Sequence, residues 1–247
     1  MLKLFLQYFL YISLVYPIIL GFLKNKKSET FKVLVVFILF FILIHLIVHL
    51  PIQFNALNVF FKDSNWNWTG KLYSILGSII FLFLCRKYEL KDYFLTTRQN
   101  KTFLKKGIIL ILLFILLEVF IIVALKYKSE WNLDRILFQF IMPGLDEELI
   151  YRGILLGLLM KIIKPSIVPY KKLYVNPAIL ITSLLFGFAH GLFLNDSYEI
   201  IFHAYPFIRT TLIGYFWGWL TIKSGSIVLP IICHNLLNGF TTLIRMI

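Results

Sequence analysis

Residues 33–52 read VLVVFILFFILIHLIVHLPI, twenty residues without a single Asp, Glu, Lys or Arg. A helix needs roughly 20 mostly apolar residues to cross the hydrocarbon core of a membrane, so this run predicts a membrane-spanning helix. The remaining chain has a similar character. Of its 247 residues 60% are hydrophobic and 15% are charged, whereas soluble domains carry about 25% charged residues. The composition predicts an all-α polytopic membrane protein and excludes a cytosolic enzyme, a disordered regulator and a secreted disulfide scaffold.

Eight apolar segments of this kind predict about eight transmembrane helices within a single membrane domain. They lie at residues 4–23, 33–52, 70–85, 107–125, 135–163, 177–194, 200–222 and 226–244. The first is expected to be a retained helix, because no small-residue cleavage site follows it. The fifth is long and contains Pro143-Gly144, which predicts a break or a tilt in that helix.

The formal net charge of +13 is explained by the distribution of basic residues over the loops. If the segments alternate in direction, sixteen of the 25 Lys and Arg residues fall in one set of loops and seven in the other. The positive-inside rule then predicts that the basic loops are cytoplasmic and that both termini are outside. The charge indicates orientation and contact with anionic lipids of the bilayer, and we expect no nucleic-acid partner.

Ionisable residues inside the predicted spans are concentrated in the last four segments. A charged side chain at the centre of a bilayer costs about 2.5–3.5 kcal/mol, so each one indicates a function or a partner. The fifth segment contains DEELIYRG at 146–153, the sixth FGFAH at 186–190 and the eighth HNLLN at 234–238. We therefore predict that residues 1–130 form a scaffold of transmembrane helices and that residues 131–247 form the catalytic core.

The helical spacing separates the two glutamates of this cluster. Glu148 and Arg152 are four residues apart and are predicted to form an ion pair on one face. Glu147 is turned about 100° from Glu148 and is free to face a cavity. A carboxylate, two imidazoles and a carboxamide then offer a general base and hydrogen-bond donors for amide hydrolysis by water. The residues that carry these groups are Glu147, His190, His234 and Asn238.

The patterns EExxxR, FxxxH and HxxxN, in this order on successive apolar segments, resemble the type II CAAX prenyl protease family. The same group includes the bacterial CAAX protease and bacteriocin-processing enzymes (CPBP, or Abi proteins). The resemblance covers about residues 135–244 and implies an intramembrane glutamate protease. It implies that Glu147 and His190 activate a water and that His234 and Asn238 hold the oxyanion. Two residues would support them: Glu148 and Arg152.

The resemblance also implies the kind of substrate. We expect an endopeptidase acting on a membrane-associated peptide or protein, with peptide maturation, bacteriocin immunity and signalling left open as its role. Eukaryotic members trim prenylated tails, but this short chain resembles the bacterial members. The resemblance therefore does not imply a prenylated substrate for this chain. The expected location is the bacterial cell membrane. No cofactor is expected.

Three alternatives remain beside the protease. The first is a non-catalytic immunity or regulatory protein that binds a peptide or partner in the membrane. The second is a zinc enzyme using two histidines and a glutamate, although the HExxH pattern is absent. The third is a proton-coupled transporter, for which paired half-repeats are missing.

Other polar residues in the spans receive structural interpretations. Asp146 is expected to be exposed where the Pro143-Gly144 pair breaks the helix. His45 and His49 are expected to form a polar face at the membrane interface rather than a metal pair. Glu118 is expected to make an interhelical hydrogen bond. His203 and Arg209 are expected either to contact the substrate or to line the mouth of the cavity. Two are predicted to be apolar packing residues: Cys85 and Cys233.

Overall fold

The computed structural model describes residues 1–164 and 175–247, and within them the chain is predominantly helical. Lys171 and Lys172, which contributed to the predicted basic loops, lie outside the described residues. The helices are α1 (Leu2–Phe22), α2 (Ser28–Gln53), α3 (Trp68–Leu84), α4 (Lys101–Ala124), α5 (Leu133–Glu148), α6 (Leu156–Ile162), α7 (Pro177–Gly191), α8 (Ala204–Ser224) and α9 (Val228–Met246). A π-helical segment, Leu149–Leu155, joins α5 to α6. Short 3-10 turns lie at Asn55–Leu57 and Leu90–Tyr93.

Each predicted apolar segment corresponds to one helix, if α5, the π-helical segment and α6 are counted as one continuous rod. The prediction of a helical membrane protein is confirmed. Within the described residues, α1, α2 and α4 are long and apolar enough to cross a membrane. Helices α3 and α7 are apolar but shorter. The number of eight spans therefore stays a prediction.

Asparagine side chains mark the start of four helices. Asn67 accepts a hydrogen bond from the backbone N–H of Gly70, and Asn132 accepts one from Arg135. Asn100 and Asn176 cap α4 and α7 in the same way. The first N–H groups of a helix have no partner within the helix, so these caps satisfy donors that would be costly to bury in an apolar environment.

Helix α5 continues through Pro143-Gly144, so the prediction of a break at that pair is wrong. The neighbouring helix α9 satisfies the backbone there: Gly144 N–H donates to Asn235 Oδ1 at 2.7 Å, and Asn235 Nδ2 donates to the carbonyl of Ile141 at 3.1 Å. A proline is tolerated in a membrane helix when neighbouring groups take over the freed backbone positions. The geometry changes only after Glu148, where the π-helical segment begins.

A short hairpin lies where the all-α prediction placed helix. Strand β1 (Leu192–Leu194) pairs antiparallel with β2 (Ile200–Phe202). The predicted spans 177–194 and 200–222 are therefore wrong at these ends. The chain reverses because Asn195 Oδ1 accepts hydrogen bonds from the backbone N–H groups of Ser197 and Glu199, each at 2.9 Å. Gln7 of α1 accepts from the Leu194 N–H at 3.0 Å and holds the hairpin against the bundle.

Glycines allow the closest helix contacts of the C-terminal half, between α5 and α9 and between α7 and α8. A Cβ on Gly144 would lie 2.8 Å from the carbonyl oxygen of Ile231, and one on Gly218 would lie 2.7 Å from Ile179 Cγ2. Small residues let membrane helices approach until their backbones touch. The packing brings the helices that carry the three motifs into one group.

Candidate active site

Glu147 lies in the last turn of α5, and its two carboxylate oxygens face different partners. Lys71 Nζ, from α3, donates to Glu147 Oε1 at 2.6 Å. Glu147 Oε2 lies 3.9 Å from His234 Nε2 of α9. The side chain is 18% exposed. One oxygen is therefore held by an ammonium group, and the other faces the imidazole side of the site.

Glu148 is the next residue, turned about 100° around the helix, and it is fully buried. Its Oε1 accepts from Arg152 Nη1 at 3.2 Å and from His234 Nδ1 at 2.8 Å. The Glu148–Arg152 ion pair is thus present as predicted. The guanidinium also lies over two aromatic rings, 4.4 Å from the centroid of Phe186 and 5.2 Å from that of Trp217. These contacts compensate the arginine for its nearly complete burial.

The orientation of His234 is determined by Glu148 and by an aromatic ring. A carboxylate only accepts, so His234 Nδ1 carries the hydrogen of the 2.8 Å bond to Glu148. The Trp217 indole stacks on the imidazole with a centroid distance of 4.0 Å and an interplanar angle of 22°. Nε2 is left on the side of Glu147, and it donates a hydrogen bond only when it also carries a proton.

His190 is oriented by a bond to its own helix. Its Nδ1 lies 2.7 Å from the carbonyl oxygen of Phe186, one turn earlier in α7. A carbonyl only accepts, so the neutral ring carries its hydrogen on Nδ1 and a lone pair on Nε2. Asn238 is half-buried one turn after His234, and its carboxamide makes no hydrogen bond to the described residues.

All four predicted catalytic residues line one cavity of about 330 Å³. They come from α5, α7 and α9: Glu147, His190, His234 and Asn238. Glu148 and Arg152 lie behind this surface and position His234. No serine or cysteine is among the described residues that line the cavity. The arrangement offers a carboxylate, imidazoles and an amide donor to a water and a carbonyl group.

Two polar residues of the site differ from expectation or were missed. Asp146 is buried rather than exposed, so that prediction is wrong; it binds Lys71 Nζ at 2.8 Å and accepts from the Ser74 hydroxyl. Lys71 was not singled out in the sequence; it lies in α3, with its side chain 14% exposed. The available signal was Lys71 and Ser74, three residues apart in an apolar segment. A buried carboxylate requires such partners.

His45 and His49 lie between helices, so the expected interfacial polar face is wrong for the buried His45. His45 Nδ1 lies 2.7 Å from the carbonyl oxygen of Phe41, and its Nε2 lies 2.8 Å from the Tyr151 hydroxyl. His49 Nδ1 lies 2.8 Å from the carbonyl oxygen of His45. Both histidines line a second cavity of about 230 Å³, which touches Glu147 from the side of α2.

The remaining predicted polar residues have structural positions. Glu118 makes the expected interhelical bond, accepting from Arg209 Nη2 at 2.6 Å. Arg209 lines the active-site cavity, whereas His203 is the exposed N-cap of α8. Two cysteines are free, the half-buried Cys85 and the buried Cys233. In the described ranges 1–164 and 175–247, no three His, Cys, Asp or Glu side chains are arranged to hold a metal ion.

Fold and site together define a helical membrane protein that presents a glutamate and two histidines in one cavity. Residues 128–240 match the family model described as type II CAAX prenyl endopeptidase Rce1-like. This region therefore resembles the CAAX protease family, as the three motifs predicted. The match supports CAAX-protease-type hydrolase activity on a peptide or protein in a membrane environment. No curated protein and no solved structure matches the chain.

Proposed function

We propose that this protein is an intramembrane glutamate endopeptidase that hydrolyses a peptide bond of a membrane-associated peptide or protein. The observation that supports this most strongly is the cavity of about 330 Å³ lined by Glu147, His190, His234 and Asn238. A water is the proposed nucleophile. No serine or cysteine is among the described lining residues, and two of the lining threonines, Thr210 and Thr241, donate their hydroxyls to backbone carbonyls.

In the first step Glu147 and His190 activate the water. Lys71 occupies Glu147 Oε1, so Oε2 is the oxygen that takes the proton. His190 Nε2 carries a lone pair and accepts the second hydrogen of the water, which orients the attacking oxygen. The oxygen then bonds to the peptide carbonyl carbon while its proton moves to Glu147. This base contributes about 10²–10⁴-fold to the rate.

In the same step the carbonyl oxygen becomes an oxyanion, which His234 and Asn238 are placed to bind. The Asn238 carboxamide has no partner among the described residues and is available as a donor. His234 presents Nε2 on this side of the cavity, with Nδ1 held by Glu148. Donors of this kind contribute about 10²–10³-fold each, because they bind the transition state more tightly than the substrate.

Collapse of the tetrahedral intermediate completes the reaction. The carbon–nitrogen bond breaks, and the proton held by Glu147 passes to the leaving amine. The products are a carboxylic acid and an amine, and the site returns to its starting charge. We propose that no metal takes part. Unchanged turnover after chelator treatment is the expected result, and loss of turnover that zinc restores would support the zinc alternative.

The proposal places the chain in a bacterial cell membrane with eight spans, cytoplasmic basic loops and the cavity open toward the outer ends of α5 and α9. Peptide maturation, bacteriocin immunity and signalling remain the candidate roles. The orientation is tested in intact cells with variants that carry a single cysteine in one loop. A small membrane-impermeant thiol reagent is added to these cells.

The activity is tested by comparing the membrane proteomes and secreted peptides of cells that carry wild type, Glu147→Gln or Glu130→Gln. Glu130 is exposed and serves as the matched control. We expect cleavage products with wild type and Glu130→Gln and their loss with Glu147→Gln at equal protein level. Full processing by Glu147→Gln would overturn the mechanism. A biological effect that Glu147→Gln retains would favour the non-catalytic alternative.

A further inference from the structure

Two cavities meet at Glu147. The active-site cavity of about 330 Å³ and the second cavity of about 230 Å³ have three lining residues in common within the described part of the chain. These residues are Lys71, Glu147 and His190. The carboxylate is therefore reached from two directions, from α9 through the first cavity and from α2 through the second.

The second cavity has a polar lining although it lies among apolar helices. Three helical segments each contribute two polar side chains that are four residues apart, a spacing that places both on one face. The pairs are His45 and His49 on α2, Asn67 and Lys71 at the start of α3, and Glu147 and Tyr151 on the rod that begins with α5. Packing alone does not explain three such faces, because apolar side chains would fill this space without the cost of burying polar groups.

The histidines that line the second cavity differ in their free hydrogen-bonding positions. His45 uses both ring nitrogens: Nδ1 donates to the carbonyl of Phe41, and Nε2 accepts from the Tyr151 hydroxyl at 2.8 Å. His49 Nδ1 donates to the carbonyl of His45 at 2.8 Å, which leaves a lone pair on Nε2. His190 has the same arrangement through its own helix. Two imidazole nitrogens are therefore available as acceptors.

A donor is available in the same cavity. The ammonium group of Lys71 carries three hydrogens and directs two of them to Asp146 and Glu147. The third hydrogen is left for another acceptor. A small molecule that both donates and accepts hydrogen bonds fits this set of groups, and water is such a molecule. A cavity needs about 10–15 Å³ and several polar partners to hold one water, so the space suffices for more than one.

We propose that the second cavity is a water reservoir that supplies the nucleophile to Glu147 and His190 while the peptide fills the active-site cavity. Each hydrolysis consumes one water, whose oxygen enters the new carboxylic acid and whose hydrogens are shared between the acid and the amine. A bound peptide displaces water from the active-site cavity, so the next water has to reach Glu147 from another side. The inference rests on the proposed function, because it assigns water as the nucleophile.

Water enters the reservoir at the end formed by His49 and Asn67. His49 lies one turn before the end of α2, and Asn67 is the N-cap of α3. Both residues are half-buried, whereas His45 and Asp146 in the interior of the cavity are buried. From this end the polar groups lead to Lys71 and then to the general base. Each of them offers a hydrogen bond to a water that has left the solvent, which lowers the cost of entering an apolar bundle.

The first test locates the water without requiring turnover. Full-length wild-type protein in a non-ionic detergent is exposed to a short X-ray pulse, which generates hydroxyl radicals from water, and the oxidised side chains are identified by mass spectrometry. Tyr8 and Tyr151 are buried and line the reservoir. Tyr11 is the matched control, because it is buried one turn from Tyr8 on α1 and lines neither cavity. We expect oxidation of Tyr8 and Tyr151 and protection of Tyr11.

The second test fills the reservoir. Val48 lines the second cavity and not the first, so Val48→Phe places an apolar ring where the proposal puts water. With a substrate identified by the proteome comparison, we expect kcat to fall about 10–100-fold at unchanged KM, because the nucleophile reaches the base less often while the peptide still binds. Val35→Phe is the matched control, since Val35 is exposed on the same helix and lines neither cavity. If Val48→Phe fails to fold, the oxidation pattern of the wild type still decides.

Equal oxidation of Tyr8 and Tyr11 would overturn the reservoir, and so would wild-type turnover by Val48→Phe. A raised KM at unchanged kcat in Val48→Phe would also overturn it and would assign the second cavity to a side chain of the substrate. Oxidation of Tyr8 and Tyr151 without any cleavage by wild type would support water in the cavity and contradict the proposed hydrolysis. Cleavage by wild type with Tyr8 and Tyr151 protected would support hydrolysis and contradict the reservoir.

Discussion

Lys71 Nζ lies 2.6 Å from Glu147 Oε1 and 2.8 Å from Asp146 Oδ2, so a single ammonium group holds two consecutive carboxylates. Lys71 belongs to α3, in the half of the chain assigned as scaffold, whereas both acids belong to α5. The ion pairs orient Glu147 so that Oε2, rather than Oε1, faces the imidazoles. The candidate site therefore depends on residues outside the region 128–240 that matches the family.

Replacing Lys71 by methionine should lower kcat about 100-fold with a small change in KM, because a misplaced general base affects the chemical step more than substrate binding. Lys71→Arg should restore part of kcat. The assay is turnover of a substrate identified by the proteome comparison. A wild-type kcat in Lys71→Met would show that this ion pair does not position Glu147.

A control separates positioning from folding. Lys71→Met alone leaves Asp146 buried without a counter-charge, and breaking a buried ion pair costs about 3–5 kcal/mol. Adding Asp146→Asn removes that charge and should restore the apparent Tm. Turnover should stay low in the double variant, since Glu147 is still unsupported. Recovery of turnover together with the Tm would assign the effect of Lys71 to stability alone.

Two asparagines three residues apart on α9 should respond in opposite ways. Asn238→Ala should lower kcat about 10²–10³-fold at unchanged Tm, because the carboxamide acts only on the developing oxyanion. Asn235→Ala should lower the Tm, because it leaves the backbone of α5 unpaired at Gly144 and Ile141. Thermal unfolding and turnover are measured on both variants. An unstable but fully active Asn238→Ala would contradict the assignment.

The close contact of α5 with α9 should be sensitive to a single methyl group. Gly144→Ala would place a Cβ 2.8 Å from the Ile231 carbonyl oxygen and should cost about 1–3 kcal/mol. Gly21→Ala is the matched control, because nothing lies within 4 Å of its Cβ position in α1. Apparent Tm values in detergent compare the two. Equal Tm values would show that α5 and α9 accommodate the added methyl group without a loss of stability.

An ion pair between α6 and the 3-10 turn Leu90–Tyr93 predicts a pH-dependent contribution to stability. Lys161 Nζ lies 2.6 Å from Asp92 Oδ1, and this hydrogen bond lowers the pKa of the Asp92 carboxyl from its ordinary value. The contribution is therefore complete above the ordinary carboxyl range and is lost as the pH falls through the lowered pKa. Its size is about 0.2–1 kcal/mol, as for pairs near the surface.

Asp92→Asn measures this contribution. The difference in Tm between wild type and variant should be largest near neutral pH and should shrink as the medium becomes acidic. A difference that is constant over this range would assign the effect to the backbone bond that Asp92 Oδ2 accepts from Glu89 instead.

Much of the fold could be predicted from local pattern. Long apolar runs locate the helices to within a few residues, because burying a helix in lipid requires length and composition only. The Glu148–Arg152 pair was also predictable, since a separation of four residues places both on one helical face. The three motifs indicated which helices meet, and all three lie within residues 128–240, which match the family model.

The errors concern interactions between distant segments. Continuous helix at Pro143-Gly144 depends on Asn235, and burial of Asp146 depends on Lys71 and Ser74. The hairpin after α7 depends on the Asn195 turn and on Gln7 of α1. Apart from the local Asn195 turn, these partners lie far away in the sequence, so a local pattern does not reveal them.

The sequence by itself determined the class of protein, the helical segments and the residues able to carry the chemistry. The tertiary structure decided which oxygen of Glu147 is free, which tautomer His190 adopts and that two cavities meet at Glu147. The physical reason is that lipid is as apolar as the protein interior, so hydropathy specifies that a helix is buried without specifying its neighbour. Only the packed helices bring Lys71 to Glu147.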